Sequence, residues 1–125
     1  MNNLNCSSVK TFIGSKDFNE SRDFYISLGW KLNFDRGDIA ELELEGSSFY
    51  LQKYYQKDWC ENTMLYIAVE DAEAWYKYVT TVLENNSFGD ARVQAPIKQD
   101  YGALVTFVHD PSGVLLHFAQ MLETK

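Results

Sequence analysis

The side chain with the widest chemical scope in this 125-residue chain is His117. It is the one ionisable residue in the apolar run Val114-Leu115-Leu116-His117-Phe118-Ala119, which follows the turn Asp110-Pro111-Ser112-Gly113. An imidazole there is either a hydrogen-bonding or acid–base group facing a cleft, or a core histidine with its partners satisfied. Lys10 raises a sharper question, because a lysine on an inward strand position is costly to bury unpaired. It needs a ligand anion, a partner such as Glu41 or Glu43, or a path for its head to solvent. Tyr50, Gln52, Tyr54, Tyr55, Trp59, Tyr66 and Tyr101 supply amphipathic surface that suits flat, partly polar ligands as well as ordinary packing. Glu41, Glu43 and Glu45 alternate along one strand, forming a solvated face, or a wall attractive to cations if it turns into a cleft. His109 sits beside the Asp-Pro-Ser-Gly turn and reads as structural. The sequence has no nucleophile elbow, phosphate loop, thiol pair or paired His–carboxylate motif.

Local patterns place these residues on two similar series of elements. Val9 to Ile13 is a short strand with Lys10 and Phe12 on one face. Asp17 caps a helix, with Glu20 as capping-box partner, Phe18, Tyr25 and Leu28 as the buried stripe and Gly29 as the stop. Trp30 to Asp35 and Ile39 to Glu45 alternate as strands, and Phe49 to Lys53 follows the Gly46 turn. Residues 54–63 read as a linker. Met64 to Val69 is again a strand, and Asp71 caps a helix with Ala72, Trp75, Tyr76, Val79, Val82 and Leu83 on its buried face. Asn85 to Asp90 breaks that helix, and a strand runs near Arg92 to Ala95. Ala103 to His109 and Val114 to Ala119 form a closing hairpin whose near-continuous apolar arms imply cover on both faces.

The two halves share their spacing. Lys10 precedes Asp17 by seven residues and Met64 precedes Asp71 by seven; Gly46 precedes Tyr50 by four and Gly113 precedes His117 by four. The repeat lives in pattern more than in identity. Two modules, 8–53 and 64–120, each packing one sheet face on a helix, are expected to meet through their other faces. That would enclose a cleft lined by Lys10, Tyr50, Met64 and His117 within one domain spanning 1–125.

Length and composition restrict the partners. The chain is long enough to bury about two-thirds of its unfolded surface. Aromatic residues make up 15% and the net charge is −7, which disfavours nucleic acid and favours neutral or cationic small molecules. Cys6 and Cys60 have no metal-ligand spacing and read as free thiols of a reducing cytoplasm. The polar start lacks the apolar run of a signal peptide, and no stretch is long enough to span a membrane.

Three segments carry a family resemblance: Ser15-Lys16-Asp17-Phe18 with Phe24-Tyr25 and Leu28-Gly29-Trp30; Val69-Glu70-Asp71 with Trp75-Tyr76; and Asp110 through Phe118. In this order and spacing, over roughly Val9 to Gln120, the chain resembles the vicinal oxygen chelate superfamily of glyoxalases, extradiol dioxygenases, fosfomycin-resistance thiol transferases and bleomycin-resistance proteins. The resemblance implies an α+β fold of two βαβββ modules forming a paired-sheet cleft. It also implies a homodimer with clefts at or near the subunit interface. Metal-dependent relatives hold their ion at positions that correspond here to Lys10, Tyr50, Met64 and His117, a set unsuited to a divalent ion. The expectation is therefore a binder of a small aromatic or cationic molecule similar to bleomycin-resistance proteins, without metal or cofactor. Its ligand-binding residues would be Lys10, Phe12, Tyr50, Gln52, Trp59, Met64, Tyr66, Tyr101 and His117. The alternative is a divalent-metal-dependent enzyme of the glyoxalase or dioxygenase type.

Overall fold

Alternating strands and two aspartate-capped helices produce a duplicated architecture in the computed structural model, which describes residues 3–123. The first series is β1 (Phe12–Gly14), α1 (Phe18–Ser27), β2 (Lys31–Asp35), β3 (Ile39–Leu44) and β4 (Ser47–Gln52). A short helix α2 (Lys57–Glu61) follows. The second series is β5 (Met64–Ala68), α3 (Ala72–Asn85), β6 (Arg92–Val93), β7 (Ile97–Lys98), β8 (Ala103–His109) and β9 (Leu115–Met121). Asp17 and Asp71 cap as expected, accepting from the backbone N–H of Glu20 at 3.1 Å and of Ala74 at 3.0 Å. The Glu20 carboxylate does not complete a capping box; it lies beside Gly89, where nearby Asp17 and Asp90 add to partial burial in raising its pKa.

Each series folds into one mixed sheet. The first has strand order β1-β4-β3-β2 and the second β5-β9-β8-β6, with β7 also on β8. The outer strands β1 and β5 run parallel to β4 and β9, and the remaining pairs are antiparallel. The repeat is exact in register: Phe12 faces Tyr50, Tyr66 faces His117, and Tyr66 follows Phe12 by the same 54 residues that separate Met64 from Lys10.

Several expectations need correction. The first strand begins at Phe12, so Lys10 precedes it, with its ammonium donating to Ser8 Oγ at 2.6 Å. The second strand is not a clean alternation, because its register on β3 shifts between Leu32 and Phe34. The linker contains α2, which packs on β1. The strand near Arg92 to Ala95 is only Arg92–Val93; pairing with β8 resumes after Pro96, which has no N–H to give.

The largest correction concerns how the modules meet. Ile13, Phe24, Tyr25, Leu42, Phe49 and Leu51 of the first series share one core with Val79, Val82, Val108, Leu116 and Phe118 of the second. These are the helix-covered faces, so the modules join through them and leave the other sheet faces outward. Each large side chain fully buried there contributes about 1.5–3 kcal/mol. Trp75 stacks on Phe118 with ring centres 4.6 Å apart, and Tyr25 packs edge-on against Phe24, Trp30 and Phe49.

The Asp110–Gly113 turn ties this junction. Asp110 Oδ1 accepts from the N–H groups of Ser112 and Val114 at 2.8 and 3.0 Å, and Oδ2 accepts from the Tyr25 hydroxyl at 2.7 Å. Ser112 Oγ accepts from the Lys16 N–H at 2.8 Å, at the start of α1. Gly113, at φ +97°, takes the left-handed conformation the turn requires.

Candidate functional site: two open sheet faces and a groove

Strand alternation puts the residues that do not face the helices onto two outward faces. On the first sheet, Phe12 and Tyr50 lie side by side with ring centres 5.3 Å apart, and Phe34 adds a third ring 6.1 Å from Tyr50. Glu41 is the direct partner of Tyr50 across β3–β4, which puts its carboxylate on this same face. The Asn33 amide donates to Glu41 at 2.7 Å and to Glu43 at 3.0 Å, and that bond leads the causes holding the Glu43 pKa low. Gln52 continues the face one pair further along, opposite Gly14.

The second sheet carries the other group. His117 lies between Tyr66 of β5 and Phe107 of β8, with ring centres 6.2 and 4.9 Å away, and its Nε2 is 3.3 Å from Met64 Sδ. Desolvation holds the His117 pKa below the usual imidazole value, so the ring is neutral at pH 7. Tyr66 reaches Met121, and desolvation together with the neighbouring Tyr66 hydroxyl raises the Tyr101 pKa. Met64, Tyr66, Ile97, Tyr101 and Met121 are all at least half exposed. On this same face of the hairpin Ala103, Val105 and Ala119 are buried in a small second core with Phe107, so the cover expected on both faces is complete on the helix side and partial on this one.

The expected site residues thus fall into two groups. Phe12, Tyr50 and Gln52 share the first sheet's face; Met64, Tyr66, Tyr101 and His117 gather on the second. Lys10 stands outside both strands. Trp59 packs against Gly14 and Tyr54 and closes the end of β1. The expected enclosure of Lys10, Tyr50, Met64 and His117 by one chain does not form, because the modules meet on their helix sides.

A cavity of about 730 Å³ lies between the β3–β4 hairpin and the edge of β5 with the start of α3. Trp30, Phe49, Ile67 and Trp75 give it apolar walls, and Glu45 and Glu70 lie at its polar side. Tyr66 also lines it, so groove and second open face meet at that residue. Sequence reasoning took Trp75 as core and Trp30 as strand, and missed their place beside a cavity. The one available signal was the acidic pair Glu70-Asp71 directly before the aromatic helix face.

The divalent ion that the resemblance to glyoxalases and dioxygenases implies does not fit the side chains here. Among the described residues no three His, Cys, Asp or Glu side chains are grouped so as to hold an ion. Around His117 the neighbours are a thioether and aromatic rings, which do not supply the nitrogen and oxygen donors that such an ion needs. Among the described residues no helix is long and apolar enough to cross a membrane.

No family model matches the sequence, and no curated protein matches it. Solved structures do match. A bleomycin-binding protein in complex with bleomycin is 21% identical, with a TM-score of 0.76 over 92% of this chain and 98% of its own. An antibiotic binding protein from Streptomyces sp. CB03234 is 17% identical, with a TM-score of 0.74 over 95% and 99%. A lactoylglutathione lyase from Agrobacterium tumefaciens is 12% identical, with a TM-score of 0.64 over 93% and 95%. Two similar series that each open with a strand and a helix, their parallel first strands and this likeness together establish an α+β paired-sheet fold, shared with the bleomycin-binding protein and the lactoylglutathione lyase.

Proposed function

We propose that the protein binds a small aromatic or cationic molecule, an antibiotic or a metabolite, without metal and without changing it. The observation that carries this is the second sheet's open face, where exposed Tyr66, Tyr101 and two thioethers surround the half-buried rings of Phe107 and His117. Such rings offer flat contact at low entropic cost, and a neutral imidazole adds one polar handle. Glu41 and Glu43 beside Phe12 and Tyr50 on the other face, and Glu45 and Glu70 in the groove, favour positive charge. The likeness to a bleomycin-binding protein supports the same reading.

The same exposure supports a homodimer. A contiguous apolar patch of this kind is uncommon on a monomer, and a second copy would close each open face into a cleft. In that assembly Lys10, Phe12, Tyr50 and Gln52 of one chain would stand opposite Met64, Tyr66, Tyr101 and His117 of the other, as one ligand-binding domain per chain. The unlinked Cys6 and Cys60 accord with a reducing cytoplasm.

Titration with bleomycin-type glycopeptides and a set of cationic aromatic compounds, followed by tryptophan emission and melting temperature, tests the binding. A saturable response that weakens about tenfold in Tyr66→Ala supports it. No response from any compound removes its basis. Light scattering at micromolar concentration tests the dimer, and a monomer mass overturns it.

A further inference from the structure

A second cleft, about 350 Å³, opens where the Asp-Pro-Ser-Gly turn meets α1 and α2, and no residue assigned above to the ligand face lines it. Its walls carry Lys16, Arg92, His109 and Tyr55, with Asp90 and Glu61 at the side. Arg92 and His109 are direct cross-strand partners on β6 and β8, so their side chains project together. Among the described residues the Arg92 guanidinium donates only to the backbone carbonyl of Asp90 at 3.2 Å, and the Lys16 ammonium stands 5.8 Å over the Tyr55 ring. Among the described residues neither cation is ion-paired, whereas Glu61 is held by Lys57 at 2.9 Å.

His109 completes the set of donors. Its Nδ1 is enclosed and has no hydrogen-bond partner, while Nε2 is neither enclosed nor bonded among the described residues. A neutral ring avoids an unmatched buried N–H by keeping its proton on Nε2, which then donates toward the cleft. Burial and the nearby Arg92 charge hold the His109 pKa down, so this neutral form prevails at pH 7. Two unpaired cations and one N–H converge on the cleft, and Asp90 is the single unpaired acid facing them.

We propose that this cleft is a small-oxyanion site, binding a phosphate or carboxylate group between Lys16, Arg92 and the Nε2–H of His109. Charge-assisted bonds from a guanidinium and an ammonium suit such a group, and the Tyr55 ring walls one side. The anion also offsets the charge of Arg92 on His109, so binding and protonation of that ring reinforce each other. Asp90 opposes the anion, and its removal strengthens the site.

The chain has two histidines, which makes the test internally controlled. Imidazole NMR signals are followed during titration with sodium phosphate, sulfate and acetate, each against sodium chloride of equal ionic strength. The site predicts a saturable shift of the His109 signal, with His117 unmoved and the His109 pKa rising by about half a pH unit or more. Arg92→Gln and Lys16→Met should each weaken phosphate binding about tenfold, and Asp90→Asn should tighten it. Melting curves verify that each variant is folded. Tighter phosphate and sulfate mark a phosphate-type ligand, and tighter acetate a carboxylate; either supports the site. Equal shifts in sodium chloride, parallel shifts of both histidines, or affinity indifferent to both cation substitutions would overturn it.

Discussion

Tyr25→Phe should destabilise the protein far more at pH 7.5 than at pH 5. Tyr25 and Asp110 are both fully buried, and the 2.7 Å bond from the phenol to Oδ2 is the only side-chain hydrogen bond linking α1 to this carboxylate. Burial raises the Asp110 pKa from an ordinary 3.8 to about 6, although the bonds from Tyr25, Ser112, Val114 and Gly113 each pull it down. The folded state therefore keeps a proton that the unfolded chain has already released. This group's stabilising contribution is fully present below pH 3.8 and lost as pH rises through about 6. Across that window the loss is on the order of 3 kcal/mol.

Above the window Tyr25 donates to a charged oxygen, a bond worth about 1.5–3 kcal/mol, and removing it strands a buried charge. Below it the carboxyl is neutral and the bond contributes about 0.5–1.5 kcal/mol. At about 4 °C per kcal/mol, the variant should melt about 6–12 °C below wild type at pH 7.5 and about 2–6 °C below it at pH 5. Circular dichroism melts of both proteins at both pH values measure this, and the difference between them cancels other titrating groups. An equal loss at both pH values, or a greater one at pH 5, refutes the coupling. Asp110→Asn should remove this group's contribution to the pH dependence.

Gly14→Ala should cost about 1–3 kcal/mol in urea denaturation, because the new Cβ falls 2.5 Å from the Trp59 ring and 2.6 Å from the fixed Tyr54 carbonyl. Asp71→Ala removes the cap bond to Ala74 and should lower stability by about 1 kcal/mol by the same measurement. Cationic-ligand affinity should fall as pH drops below the ordinary imidazole value of 6.5, since the depressed His117 pKa makes its charged form appear only there; a His117→Gln titration series should flatten the decline. Elemental analysis of purified protein should find no stoichiometric zinc, nickel, manganese or iron, and chelator should leave ligand binding intact.

The duplicated plan was legible because it is written in short-range chemistry. Asp17 and Asp71 cap helices through bonds to residues three positions away, and Gly46 and Gly113 turn the chain by their own backbone freedom. The two caps carried the offset of 54 residues that separates Phe12 from Tyr66, and the two glycines the offset of 67 that separates Tyr50 from His117. What escaped depends on distant partners. The first strand begins where β4 offers backbone to pair with, and Tyr50 N–H reaches Thr11 but no described bond from β4 reaches Val9. The shift between Leu32 and Phe34 is set by β3, and α2 by packing across β1. Asp110 read only as a turn residue, since its bond to Tyr25 spans 85 positions of chain.

Periodicity shows which face of an element is apolar, but not which surface covers it. His117 illustrates the consequence. Leu116 and Phe118 on either side of it are buried beneath α3, while its own face looks outward to Tyr66, Phe107 and Met64. The two modules consume their helix-side apolar surface in joining each other, and Tyr25 with Asp110 fixes that choice by placing a polar bond where only this packing satisfies it. Phe12, Met64, Tyr66 and Met121 are then left exposed, touching neighbours on their own sheet face but covered by nothing above it. A surface of that composition stays in water at a free-energy cost unless something outside the chain covers it, and the proposed second copy and flat ligand would meet the same packing requirement.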